Sequence, residues 1–246
     1  MDLPSPPFVD WGRTDYRAAL ARQAALVDDR LAGRAPDTLV FTEHDPVFTL
    51  GARLGAEKNV LWNAAALKEH GLAVIATTRG GDVTYHGPGQ IVGYPIVSLE
   101  PRHDLHAYLR ALEQTIINTL GRFGLATDRR PGQTGVWVGP RKIAAIGVAA
   151  RTWIAWHGFA LNYDADLAPY AGIIPCGLAP DLAQVTTLAR ELGPAHTPRV
   201  DEVKAVLAEE FWGQLLEYSS LKSPQGAKEP RRREAKGRNS SFSPSL

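Results

Sequence analysis

One thiol stands apart among the side chains that can do chemistry. Cys176 is the only cysteine in 246 residues and sits in the run AGIIPCGLAP. Pro175 biases Ile174 toward extended backbone, and Gly177 permits a sharp turn with no side chain beside the sulfur. That setting suits an exposed nucleophile. The other reading is a buried cysteine acting as a small hydrophobe, the commoner fate of a free thiol. A free thiol has a pKa of about 8.5, so a nucleophile needs a cation or base close by. Three residues are candidates: His86 in a Gly-rich loop, His157 ahead of a strand-like run, and Lys142 where a turn meets an apolar strand. Each also has a plain structural reading, as a hydrogen-bonded histidine or a solvated turn lysine.

The loop RGGDVTYHGPGQ (79–90) follows one expected strand and precedes another. It lacks the Lys-Ser/Thr end of a P-loop and the spacing of a dinucleotide fingerprint. Its glycines bring backbone close to something, and backbone N–H groups near His86 and Gly87 suit a carbonyl or oxyanion. One cysteine and dispersed histidines give no metal-ligand spacing, so neither a metal nor another cofactor is expected.

Four helices are expected to frame these residues. Thr14 and Asp15 cap one running to about Ala32, with Tyr16, Leu20, Val27 and Leu31 on its apolar face. Asp104 opens a second, carrying Leu105, Leu109, Leu112, Ile116, Leu120 and Phe123 as far as Gly124. A third begins near Val200 with Val203, Leu207, Phe211 and Leu215, and a short one runs from Asn63 to His70. Strands are expected at Thr38–Phe41, Ala73–Thr77, Gln90–Leu99, Gly135–Val138, Ile143–Ala150 and Gly158–Asn162. Gly139-Pro140-Arg141 reads as a hairpin turn. Strands that follow one another without a helix between them indicate α+β or mixed α/β architecture.

Apolar residues make up 44% of the chain and charged residues 22%, which excludes a wholly disordered protein. No apolar run approaches the roughly 18 residues that span a bilayer. The start, MDLPSPPFVDW, lacks the basic and apolar regions of a secretory signal. With a lone thiol, this points to a cytoplasmic protein. A net charge of +1 conceals a basic tail: residues 219–246 hold seven Lys and Arg against two Glu. That segment is Ser/Pro-rich and reads as a disordered, solubilising tail. Residues 1–218 read as one catalytic domain and are not basic, which argues against nucleic acid as partner.

Four segments together resemble one family. They are RGGDVTYHGPGQIVGYPIVSL (79–99), KIAAIGV (142–148), HGFALN (157–162) and GIIPCGL (172–178). In this order and spacing they resemble the lipoyl(octanoyl) transferases over roughly residues 10–215. The resemblance implies the fold of biotin and lipoate protein ligases, a mixed, largely antiparallel sheet flanked by helices. It implies transfer of an octanoyl group from octanoyl-acyl-carrier protein to a lysine. That lysine would belong to a lipoyl domain of a 2-oxoacid dehydrogenase or to the glycine cleavage H protein. Cys176 matches the residue that carries the acyl group as a thioester. Lys142 matches the lysine that lowers the thiol's pKa and shuttles protons. Arg79, Gly80, Gly81, Asp82, Val83, Thr84, Tyr85 and His86 match a first substrate-binding stretch. Ala145, Ile146 and Gly147 match a second, and Gly158, Phe159 and Ala160 a third. Asp82 has no individual role in that match.

Thioester exchange conserves acyl reactivity, and attack by an amine then gives the more stable amide, so no ATP is required. Gly147, Ala144, Ala145 and Gly158 are expected to leave room for the acyl chain, with Ile146 and Phe159 as walls. Arg129, Arg130, Arg141 and Arg151 are expected to face an acidic carrier. A monomer is expected. The alternatives are an ATP-dependent lipoate or biotin protein ligase on the same fold, a Cys-His hydrolase, and a binding module that uses the basic tail.

Overall fold

The computed structural model describes residues 7–174 and 185–221. The chain opens with β1 (Val9–Thr14), α1 (Tyr16–Leu31), β2 (Thr38–His44) and β3 (Val47–Leu50). Then come α2 (Ala64–Glu69), β4 (Ala73–Ala76), β5 (Val83–His86) and β6 (Gln90–Ser98). After α3 (Leu105–Arg122) it passes through β7 (Asp128–Arg130), β8 (Gln133–Val138), β9 (Arg141–Arg151) and β10 (Ile154–Asn162). The last described helices are α4 (Leu188–Leu192) and α5 (Val200–Ser220). The expected caps start three of the helices: Asp15, Asn63 and Asp104 each accept a hydrogen bond from the backbone N–H three residues on.

Seven strands form one sheet in the order β1-β2-β6-β10-β9-β8-β7. β1 and β2 are parallel, and every other junction is antiparallel. A smaller sheet, β4-β3-β5, carries the Gly-rich loop. This is the mixed, largely antiparallel architecture expected.

The two faces of the large sheet follow from a period of two along β6. Ile91 and Val97 join Leu112, Ile116 and Leu120 of α3 and Leu207 and Phe211 of α5 in one apolar cluster. Val92, Tyr94 and Ile96 point the other way, toward Ala19 and Val27 of α1. The apolar face expected of α1 needs correction. Leu31 is exposed, and Gln23 is fully buried in the middle of that face.

Four strands escaped the sequence reading. β1 is an edge strand with mostly exposed residues, and β7 is three charged or polar residues. β3 and β5 have four residues each, too short for a period to show. β10 begins at Ile154, four residues before the expected Gly158, and His157 takes a left-handed φ of 58° inside it. Among the described residues no helix is long and apolar enough to cross a membrane. Most of the basic tail, 222–246, lies outside the described residues.

Candidate active site

The expected hairpin places Lys142 at the start of β9, opposite Trp137 of β8. Lys142 is buried, and its stem crosses Gly135: a Cβ there would strike Cε and lie 3.1 Å from Nζ. Gly135 also has a φ of +134°, a conformation L side chains rarely adopt. The Lys142 ammonium sits 5.4 Å from the centroid of the Trp137 ring. On α3, Glu113 is fully buried and Oε1 accepts a hydrogen bond from the Gly135 N–H at 3.1 Å. Arg110 and Arg129 neutralise that carboxylate at 2.6 and 3.0 Å.

β9 and β10 pair Ala145 with Ala160, Ile146 with Phe159, and Gly147 with Gly158. All six line a cavity of about 340 Å3, within the size range of small-molecule sites. The two glycines do not leave open room there, contrary to expectation. A Cβ on Gly147 would come within 2.7 Å of the Gly80 carbonyl oxygen, and one on Gly158 would strike the Gly93 carbonyl. They let the Gly-rich loop and β6 approach, and the open floor is left to Ala144, Ala145 and Ala160.

That loop closes over Gly147 through the Gly80 N–H, which donates to Val148 O at 2.8 Å. Arg79 is buried and clamps Thr49, donating to its carbonyl at 2.6 Å and its hydroxyl at 2.9 Å. Asp82 has a structural role. Asn59 donates to both of its carboxylate oxygens, and Arg53 and the Val83 N–H complete the set. Every residue of the first matched stretch lines the cavity except Tyr85, which packs edge-on against Phe48 and Tyr170. Further along the loop, the Gly89 N–H donates to Glu43 Oε2 at 2.9 Å.

Three histidines gather at this end of the cavity. His86 stacks on Tyr16 and meets His44 edge-on. Burial first, then the charges of His44 and Arg79, hold the His86 pKa well below the usual imidazole range. Burial, with Arg79 second, pushes His157 down to about 3. Both rings are therefore neutral near pH 7 and supply hydrogen-bonding atoms rather than charge. His44 is lowered by burial as well; its Nδ1–H donates to Thr14 O, leaving Nε2 to accept the Tyr94 hydroxyl at 2.6 Å. His44, Tyr16 and Tyr94 were not singled out from sequence. Their partners lie tens of residues away, so no local motif shows them.

Cys176 lies outside the described residues. The chain on either side of 175–184 is anchored at the cavity. The Ile174 N–H donates to Asn59 O at 2.8 Å, and Asn59 is the residue that grips Asp82. Val185 pairs with Lys142, and the Thr186 N–H donates to Lys142 O at 3.0 Å. Thr186 is held further by Asn162 and by Glu191, which Arg141 clasps with two bonds of 2.8 Å. Both Tyr170 and Val185 line the cavity.

The four arginines expected to face an acidic carrier are engaged within the chain. Arg141 holds Glu191, Arg129 holds Glu113, Arg151 pairs with Asp28, and Arg130 lies over Trp137.

Residues 15–212 match the lipoyl protein ligase A/B catalytic domain. An octanoyltransferase of Solibacter usitatus is 51% identical over 178 residues, 72% of this chain and 80% of that protein. One from Pelobacter propionicus is 43% identical over 210 residues, covering 85% of this chain and 95% of its own length. The chain belongs to the octanoyltransferases of this family. Among solved structures, a bi-partite lipoate protein ligase from Thermoplasma acidophilum, described with its E2 lipoyl domain, superposes with a TM-score of 0.63. It covers 86% of this chain and 84% of its own, at 20% identity, so the likeness is one of fold.

Proposed function

We propose that this octanoyltransferase of protein lipoylation works by two thioester-to-acyl transfers through Cys176, with Lys142 as its partner. The Cys176 sulfur attacks the carbonyl of an octanoyl thioester on an acyl-carrier protein. The carrier thiolate leaves and takes up a proton, and the octanoyl group rests on the enzyme as a thioester. The amine of a lysine on a lipoyl domain then attacks, the amide forms, and the Cys176 thiol is regenerated. Lys142 stabilises the thiolate as a neighbouring ammonium and passes protons between the sulfur, the leaving thiol and the incoming amine. Arg79 to His86, Ala145 to Gly147 and Gly158 to Ala160 enclose the acyl chain. Six methylenes buried at about 0.8 kcal/mol each contribute roughly 5 kcal/mol of binding.

The observation that carries this reading is the buried Lys142 at the rim of an alanine-floored cavity, with Val185 and Thr186, just past the Cys176 segment, bonded to its backbone. A ligase on the same fold makes an acyl-adenylate and has no use for a nucleophilic thiol. The transfer itself is driven by the thioester, so ATP is not consumed. The catalytic unit runs to the end of α5 at Ser220, two residues past the expected boundary at 218, the enzyme acts as a cytoplasmic monomer, and the tail from 222 is dispensable.

The test is intact mass after mixing with octanoyl-acyl-carrier protein in the absence of ATP. One octanoyl adduct is expected, labile to hydroxylamine, absent in Cys176→Ala and slow to form in Lys142→Ala. An adduct that survives in Cys176→Ala, or that needs ATP, overturns the proposal.

A further inference from the structure

We infer that Trp137 is a positioning residue for octanoyl transfer, its ring face holding the Lys142 ammonium at the edge of the cavity. This rests on Lys142 acting as the partner of the reactive thiol. A lysine carries its charge on a flexible four-carbon stem, so something must hold the head if it is to meet a sulfur. Gly135 fixes where the stem crosses β8, since Cε occupies the place of a Cβ there. The ring, 5.4 Å from Nζ, fixes the head at cation–π distance.

Hydrogen bonding does not account for a tryptophan here. Trp137 is 2% exposed, and its Nε1–H has no hydrogen-bond partner among the described residues. A buried tryptophan usually gives its N–H a partner, so this one forgoes the polar advantage it holds over phenylalanine. What it retains is the most electron-rich aromatic face, the one that binds cations best. Arg130 lies 4.4 Å from the same ring centroid and pins it in β8. The other charged group at this strand, Glu113, is already neutralised by Arg110 and Arg129 while it grips the Gly135 backbone. The ring therefore acts on the lysine head, and Glu113 acts on the strand beneath its stem.

The test is single-turnover and steady-state octanoyl transfer by Trp137→Leu and Trp137→Phe, each in the native and the Lys142→Ala background, with melting curves as a folding control. Leucine keeps apolar bulk and removes the π face; phenylalanine keeps a weaker face. Trp137→Leu is expected to lower kcat about tenfold with the donor KM within about twofold, and Trp137→Phe to recover most of it. In the Lys142→Ala background Trp137→Leu should cost nothing further. An unchanged kcat, a loss taken entirely in KM, or the same loss in both backgrounds overturns the inference. If Trp137→Leu does not fold, Trp137→Phe decides alone: a roughly threefold loss confined to the native background supports the role, and any other result overturns it. Full activity in Lys142→Ala by itself would instead remove the Cys176–Lys142 reading.

Discussion

The two faces of the large sheet solve opposite problems. On the α3/α5 face, side chains at helical spacing meet alternate strand residues in one large apolar cluster. On the α1 face, the apolar cluster is small, and around it lie buried Gln23, His44, His86, His157 and Arg79. Several of these polar groups are held by residues far away in sequence, such as Arg79 by Thr49 and His44 by Thr14 and Tyr94. The first face supplies stability that the polar cluster on the second does not, since buried polar groups contribute little net free energy even when satisfied.

Four measurements sharpen or break that contrast. Lys142→Ala should lower octanoyl transfer by about 10² to 10⁴ while leaving the melting temperature close to that of the native protein, as read by paired kinetics and calorimetry. Phe211→Ala on the opposite face should do the reverse, costing about 3–5 kcal/mol in urea unfolding with activity per folded molecule retained. Equal effects of both variants on stability would dissolve the distinction.

The third measurement is acid stability. His157 has a native pKa of about 3 against about 6.5 unfolded, so the unfolded chain binds the proton first as pH falls. Stability from this group is complete above about pH 6.5 and declines from there toward pH 3. His86, shifted in the same direction, adds to the decline. Unfolding midpoints at pH 7 and pH 5 should differ clearly in the native protein and less in His157→Gln, and parallel slopes would remove His157 from the account. The smallest effect expected is that of deleting 222–246, with transfer rates within about twofold. A large loss would bring back the binding-module reading.

Legibility of the chain followed the range of its interactions. The helix beginning at Asp104 was legible because its cap and its apolar spacing are written within twenty residues, and the Gly139-Pro140-Arg141 turn because hairpin chemistry is local. The glycines were legible as points of close approach, but not in what approaches. Gly147 reads equally well as room for a ligand or for a carbonyl, and the fold chose the Gly80 carbonyl. Asp82 sits inside the first matched stretch, yet Asn59 and Arg53 make it a brace.

The amino-acid order by itself determined three of the helices with their caps, the hairpin that presents Lys142, and the candidacy of the only thiol, because each depends on neighbours a few bonds away. Only the tertiary fold decided that Lys142 lies over Gly135 beside Trp137, that three clustered imidazoles are kept neutral, and that the four arginines each find a partner within the chain. Those outcomes depend on burial and on partners tens of residues distant, and desolvation exists only once the chain has closed around the group.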